Sequence, residues 1–265
     1  GPALNMAEVV PTADPVKRRL ELDAAAEMVR SSYTSARNEE ERFIVADKAL
    51  ARYDQLLTAW KDEPSAQNDV RRARIDRMGA LLVRKRTSEV ISEYESLSAS
   101  GEVPNYAKRW VASAWLSERQ PEKTEAMLMS IYYPNGPIPV TPLGPEDQQD
   151  LFYAHIDNEN FDAAKKQVDA LIKDSPYLRR IYGSPTPQPN DNWLLGQSLL
   201  TQYHIAANEL PEAEKLAEHL ARTGSGNQGL RISYASVLEA RGLPHAAEKE
   251  LKLAEVIEPS NLELE

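Results

Sequence analysis

Apolar residues recur every three or four positions along most of this chain, the spacing of one buried face on an α-helix. The pattern predicts helices over Val16–Ser35 and Glu40–Trp60, with Phe43, Ala46, Ala49, Leu50, Tyr53, Leu56 and Leu57 forming the stripe of the second. Toward the C-terminal end the stripe takes a fixed layout. Ala247, Leu251, Ala254 and Pro259 stand at intervals of four, three and five inside a 34-residue segment, Gln228–Asn261. The first half of that segment carries Tyr234, Ala235 and Leu238, and Gly242 marks a turn. Two antiparallel helices, small residues where they cross and a proline stop are the layout of a tetratricopeptide repeat.

The unit recurs upstream. Leu194–Asn227 is also 34 residues long, with Leu200, Ala213, Ala217 and Leu220 as landmarks, and Ala213 lies one period before Ala247. Pro145–Leu178 carries Leu151, Phe152 and His155, then Ala164, Val168 and Leu171. Asn105–Ile138 carries Val111, Ala112 and Trp115, then Leu128 and Ile131, with Thr124 in the usual alanine place. A looser unit has Ile75, Met78, Gly79 and Leu82, then Val90, Tyr94 and Leu97, closing at Pro104. The predicted fold is all-α: a tetratricopeptide-repeat solenoid, a right-handed superhelix of antiparallel helix pairs. Its predicted order is a leading scar over 1–6, helix pairs over 7–104, repeats over 105–138, 145–178, 194–227 and 228–265, a linker over 139–144 and a proline-rich loop over 179–193.

Two stretches interrupt the stacking, Tyr133–Gly144 and Tyr182–Asn192. Prolines at their density exclude helix and favour extended, polyproline-like backbone. Loops this long in a repeat array are either functional or plain spacers.

Composition agrees with helix: glycine is scarce at 11 residues and 42% of the chain is apolar. The net charge of -10 argues against nucleic acid as a partner and toward a cationic polymer or a basic protein surface. With no cysteine there are no disulfides, thiolate metal sites or thiol catalysis. No apolar run reaches the ~18–20 residues a membrane-spanning helix needs. Gly1–Met6 reads as a protease-cleavage scar, and the chain as a portion of something larger.

Several segments together carry a more specific signal. They are Gly226-Asn227-Gln228-Gly229-Leu230-Arg231, Tyr234-Ala235-Ser236-Val237-Leu238, Ala240-Arg241-Gly242 and Ala254-Glu255-Val256-Ile257-Glu258-Pro259. Glu41-Arg42-Phe43, Ala46–Ala51, Trp110–Ala114, Asp150–Tyr153 and Pro189–Trp193 follow the same order. Over nearly the whole chain after the scar, these segments resemble the PgaA family, outer-membrane exporters of the biofilm polysaccharide poly-β-1,6-N-acetylglucosamine. The resemblance implies a periplasmic repeat region of a Gram-negative outer-membrane protein, without the C-terminal β-barrel. It implies two partners besides that barrel: the partly de-N-acetylated polymer and the periplasmic deacetylase. No catalytic residue, metal or cofactor is implied, and the chain shows no nucleophile–base arrangement, phosphate loop or metal-ligand spacing. A second reading keeps the repeats as a protein-interaction scaffold that takes a peptide or partner protein and no sugar.

In such arrays the first helix of each pair lines the concave face. That register places Asp76, Tyr106, Arg109, Tyr153, Asp157, Gln202 and Glu239 there. Tyr153 and Asp157, four apart, form the first candidate pair: an aromatic for a sugar's C–H face and a carboxylate for an amine. Asp191 and Trp193 sit where the second loop enters a helix. Asp191 or Asn192 suits an N-cap, Trp193 either packs on the next repeat or forms a sugar platform, and both Asp191 and Trp193 are candidate polysaccharide contacts. Arg109 and Arg231 are candidate partner contacts, Arg231 alternatively making a buried inter-repeat bond. Trp60, Trp110 and Trp115 are assigned to packing. Gly224–Gly229 spells G-x-G-x-x-G but has no strand before it, which leaves an inter-repeat turn. His155, Asp157 and Glu159 point to diverging sides of a helix, which disfavours a metal site. Glu39–Glu41 suit a helix's first turn. Arg71, Arg72, Arg74 and Arg77 read as a solvated face or a partner patch.

Overall fold

The computed structural model describes residues 14–36, 38–174, 178–179, 188–189, 191–223 and 228–257. Among them are twelve α-helices: α1 (Pro15–Thr34), α2 (Glu39–Trp60), α3 (Gln67–Val83), α4 (Thr87–Ala99), α5 (Asn105–Ser117), α6 (Pro121–Tyr132), α7 (Pro145–Asp157), α8 (Phe161–Asp174), α9 (Asp191–Ala206), α10 (Leu210–Thr223), α11 (Gln228–Ala240) and α12 (Pro244–Ile257). A 3-10 turn, Pro64–Ala66, precedes α3. Two dipeptides, β1 (Leu178–Arg179) and β2 (Gln188–Pro189), pair antiparallel; of the second proline-rich stretch, residues 182–187 and 190 lie outside the described residues.

The chain divides into two compact units, Gly1–Pro134 and Asn135–Glu265. In the first, α1 packs on α2, α3 on α4 and α5 on α6, and the leading helix of each pair also touches the next leading helix. The second repeats this logic with α7–α8, α9–α10 and α11–α12. Each pair buries one face within itself and another against its neighbour, as in tetratricopeptide repeats.

One backbone feature fixes the register. Lys85, Arg119, Glu159, Asn208 and Gly242 all have φ between 55° and 73°. Each follows a leading helix, and each following residue reaches back to a carbonyl five positions earlier: Arg86 to Leu81, Gln120 to Trp115, Asn160 to His155, Glu209 to His204 and Leu243 to Leu238, at 2.7–2.9 Å. These are Schellman turns, which satisfy the open carbonyls at a helix end. The left-handed residues are separated by 34, 40, 49 and 34 positions. The two long intervals carry six and fifteen extra residues, and these fall in the proline-rich stretches.

The core follows the small-residue pattern. Ala213, Ala217, Ala247 and Ala254 are fully buried, allowing close helix approach. Thr124, in an alanine place, is buried as well, and its Oγ1 donates to the Ala112 carbonyl at 2.9 Å. Trp60 and Trp115 are core residues, and Trp115 meets Tyr94 edge-on at 5.7 Å. Asn38 caps α2 by accepting from the Glu41 amide at 2.8 Å, with Glu39–Glu41 in the first turn.

The arginine run on α3 is neither a solvated face nor a free patch. Arg72 reaches Asp23 on α1 at 2.7 Å, Arg77 reaches Asp54 on α2 at 2.9 Å and Arg74 reaches Glu93 on α4 at 2.5 Å. Arg71 donates to the Leu97 and Glu102 carbonyls at 3.1 and 2.8 Å. The run ties α3 to three neighbouring helices, a role visible only once those helices are packed.

Candidate functional site

The leading helices of the first unit bring charged and aromatic side chains to one place. On α5, Tyr106 and Trp110 are one turn apart and meet edge-on, with ring centroids 5.2 Å apart. Trp110 lies against Gly79 of α3, where an added Cβ would stand 3.0 Å from the indole. That close approach sets α5 on α3 and carries Tyr106 to Asp76: its hydroxyl donates to Asp76 Oδ1 at 2.9 Å. Arg72, one turn before Asp76, brings Nε to 3.4 Å from Oδ2 and also holds Asp23 of α1.

Two carboxylates therefore share one guanidinium, and the group carries a net negative charge. Asp76 is buried, whereas Asp23 is exposed and Tyr106 keeps 38% of its surface open. Burial pushes the Asp76 carboxyl above its ordinary range, against the lowering pull of Tyr106 and Arg72. Burial also raises the Tyr106 hydroxyl, and the adjacent Asp76 charge raises it further. Tyr53 of α2 feels the same charges. Its hydroxyl is buried, makes no hydrogen bond and is pushed up first by burial and then by Asp76. Chemically, the arrangement offers an excess negative charge beside a half-open aromatic pair, which suits an amine carried on a ring with an apolar face.

Of the residues the sequence singled out, Asp76 and Tyr106 are brought together. Asp76 is not an open groove carboxylate, however, because it is buried and already engaged. Arg109 is half-buried and donates to the Tyr132 hydroxyl of α6 at 3.3 Å. In the second unit, Tyr153 is half-buried and packs against the core formed by Phe152, Ala164, Val168, Leu171 and Leu199, and burial raises its hydroxyl. Asp157, the last residue of α7, is exposed. Of the expected pair, Tyr153 keeps part of its surface open, one turn before the exposed Asp157. Gln202 is half-buried on α9, Glu239 is exposed near the end of α11, and Trp193 is half-buried at the start of α9. The Asp191 side chain and Gly224–Asn227 lie outside the described residues. Arg231 is not an exposed partner cation, nor an inter-repeat tie. Its Nη1 reaches Glu250 at 2.8 Å, joining α11 to α12 within one pair, with both side chains largely buried.

Sequence reasoning missed Asp23, Tyr53 and Arg72 as members of this group and assigned Trp110 to packing alone. The signal available was the four-residue spacing of Arg72 with Asp76 and of Tyr106 with Trp110. Nothing local connects either pair to Asp23 or Tyr53. Among the described residues, no group of three or more His, Asp or Glu is arranged to hold a metal ion, and no helix is long and apolar enough to cross a membrane.

The paired helices, their stacking and the five equivalent turns define a tetratricopeptide-repeat protein. A tetratricopeptide repeat protein from Parabacteroides merdae ATCC 43184 has the same fold, with a TM-score of 0.55 and 14% identity over 91% of this chain and 81% of that one. In sequence, the chain is related to the poly-beta-1,6-N-acetyl-D-glucosamine export protein. It is 45% identical over 244 residues to that protein from Escherichia coli K12, and equally to that from Escherichia coli O157:H7. The match covers 92% of this chain, which spans about 30% of those relatives' length. No protein-family model matches the chain.

Proposed function

We propose that this chain is a periplasmic scaffold in the export of a biofilm exopolysaccharide. In this reading it binds partly de-N-acetylated poly-N-acetylglucosamine, docks the periplasmic deacetylase and guides the polymer to an outer-membrane pore formed by a β-barrel of the same polypeptide. The observation that carries this reading is the 45% identity to an export protein along nearly the whole chain. The Asp23, Asp76 and Tyr106 group supports it chemically. Removing acetyl groups from the polymer leaves ammonium charges, which carboxylates attract over a Debye length and hold by charge-assisted hydrogen bonds. Asp157 and Glu239, exposed on leading helices of the second unit, add negative charge for a moving cationic chain. Many weak contacts suit a polymer that has to keep sliding.

The test is a fluorescence and NMR titration with β-1,6-linked glucosamine oligomers of graded acetylation at low salt. Affinity is expected to rise with the number of free amines and fall with added salt, and Trp110 emission is expected to change. If neither fully nor partly deacetylated oligomers perturb the protein, the sugar-binding reading fails. Binding of the purified deacetylase then tests the docking half separately.

A further inference from the structure

The stretch between α6 and α7 carries six residues beyond the 34-residue interval seen in the first and last pairs of turns. Residues 134–142 are all exposed and form neither helix nor strand. From Ala126 to Pro145 there is no charged side chain, in a chain where 27% of residues are charged. Two large apolar residues stand in the exposed run: Ile138, 80% exposed, and Val140, 55% exposed. Prolines at 134, 137, 139, 142 and 145 spell P-x-x-P three times.

We propose that the strap Pro137–Pro142 is a docking ligand for an uncharged, apolar groove on a protein partner. The proposal rests on the docking half of the proposed function, which makes that partner the deacetylase. Three properties favour a protein occupant. The strap has no carboxylate for an ammonium and no aromatic ring for a sugar face, so it offers a cationic polysaccharide nothing to hold. Its prolines fix φ at three of six positions, so little backbone freedom remains to be lost on docking. Proline-rich segments with apolar residues between the prolines are the form in which extended peptides enter aromatic-lined grooves. A plain spacer needs none of these features, and glycine, serine or charged residues would serve it.

The experiment measures binding of purified deacetylase to the immobilised chain, comparing wild type with the double variant Ile138→Asp/Val140→Asp. The strap is exposed and outside the core, so thermal unfolding of the variant is expected to match wild type. Its dissociation constant for the deacetylase is expected to rise about tenfold or more, from lost apolar burial and buried charge. Binding of deacetylated oligomer is expected to stay unchanged. An unchanged constant for the deacetylase overturns the strap assignment and leaves the docking reading intact. A wild-type chain that does not bind the deacetylase overturns the docking reading, and the assignment with it. Loss of oligomer binding with intact deacetylase binding makes the strap a sugar site. Concentration-dependent self-association abolished by the double variant gives it to a second copy. Either of these last results also overturns the proposal.

Discussion

The hydroxyl of Tyr106 donates to Oδ1 of Asp76 at 2.9 Å, joining the leading helices of two successive pairs through a buried carboxylate. Burial outweighs the help that Tyr106 and Arg72 give, and Asp76 keeps its proton to higher pH than the ordinary value of 3.8. A carboxyl raised in the folded state binds more protons there than in the unfolded chain. Its contribution to stability is therefore greatest below the unfolded value and declines as pH climbs through the folded one. Asp76→Asn keeps an acceptor for Tyr106 and removes the titration. Urea unfolding between about pH 3.5 and 7 is expected to show the Asn variant gaining on wild type as pH rises. A constant gap would show that pairing with Tyr106 and Arg72 cancels burial, and a gap that moves the other way that it outweighs burial.

Four of the five Schellman turns place a residue with a side chain in the left-handed region, at Lys85, Arg119, Glu159 and Asn208. That conformation costs an L-residue roughly 1–2 kcal/mol and glycine almost nothing. Arg119 is exposed, so replacing it removes little else. Arg119→Gly is expected to stabilise the first unit by about 0.5–1 kcal/mol, and Gly242→Ala to destabilise the second by about 1 kcal/mol. Chemical denaturation of both variants beside wild type checks the pair of signs. Destabilisation by Arg119→Gly would mean that unfolded-state entropy exceeds the relief of strain.

These turns also show what was legible in the sequence. Gly242 announces its turn, and Ala247, Leu251 and Ala254 announce the helix after it, because glycine and small residues are selected by local geometry. Arg119 and Glu159 announce nothing, since the helices on either side impose the conformation on residues that do not prefer it. The candidate site divides in the same way. Tyr106 and Asp76 could be placed on leading helices by counting, but their contact depends on how closely Trp110 approaches Gly79, a tertiary distance. Asp23 and Tyr53 enter from two further helices, and no spacing along the chain connects them. Tyr153 could be placed on its leading helix by counting, but how much of its ring the neighbouring pair covers depends on tertiary packing.

Arg71 makes a long-range prediction. Its guanidinium bonds the Leu97 carbonyl, the Glu102 carbonyl and the Ser100 hydroxyl, the last at 2.7 Å, so it closes the carboxyl end of α4 from α3. Helix ends leave carbonyls open, and a cation there is favoured by the helix dipole. Arg71→Ala is expected to cost about 1–3 kcal/mol and to raise amide exchange in the 97–103 segment. Lysine is expected to recover only part of this, since a single ammonium cannot span three acceptors as the planar fork does. Full recovery by Arg71→Lys would reduce the interaction to simple charge.

Thr124 offers a test in which packing and hydrogen bonding pull in opposite directions. It stands where three other pairs have Ala164, Ala213 and Ala247, is fully buried, and its hydroxyl donates to the Ala112 carbonyl across the helix pair at 2.9 Å. Valine has nearly the same shape and is more apolar, so if packing decided the matter Thr124→Val would equal or exceed wild type. Removing the donor instead loses a net hydrogen bond worth about 1 kcal/mol, and the adjoining Ala112 carbonyl loses its hydroxyl donor in a dry site. Thr124→Val is therefore expected to be less stable than wild type by about 1 kcal/mol. Thr124→Ser, which keeps the hydroxyl and loses one methyl, is expected to fall by a similar amount for a different reason, about 0.8 kcal/mol per buried carbon. Infrared or NMR detection of the Ala112 carbonyl separates the two: its hydrogen-bond shift is expected to persist in the serine variant and vanish in the valine one. A valine variant as stable as wild type would mean that the hydroxyl is tolerated at this helix crossing and does not hold it together.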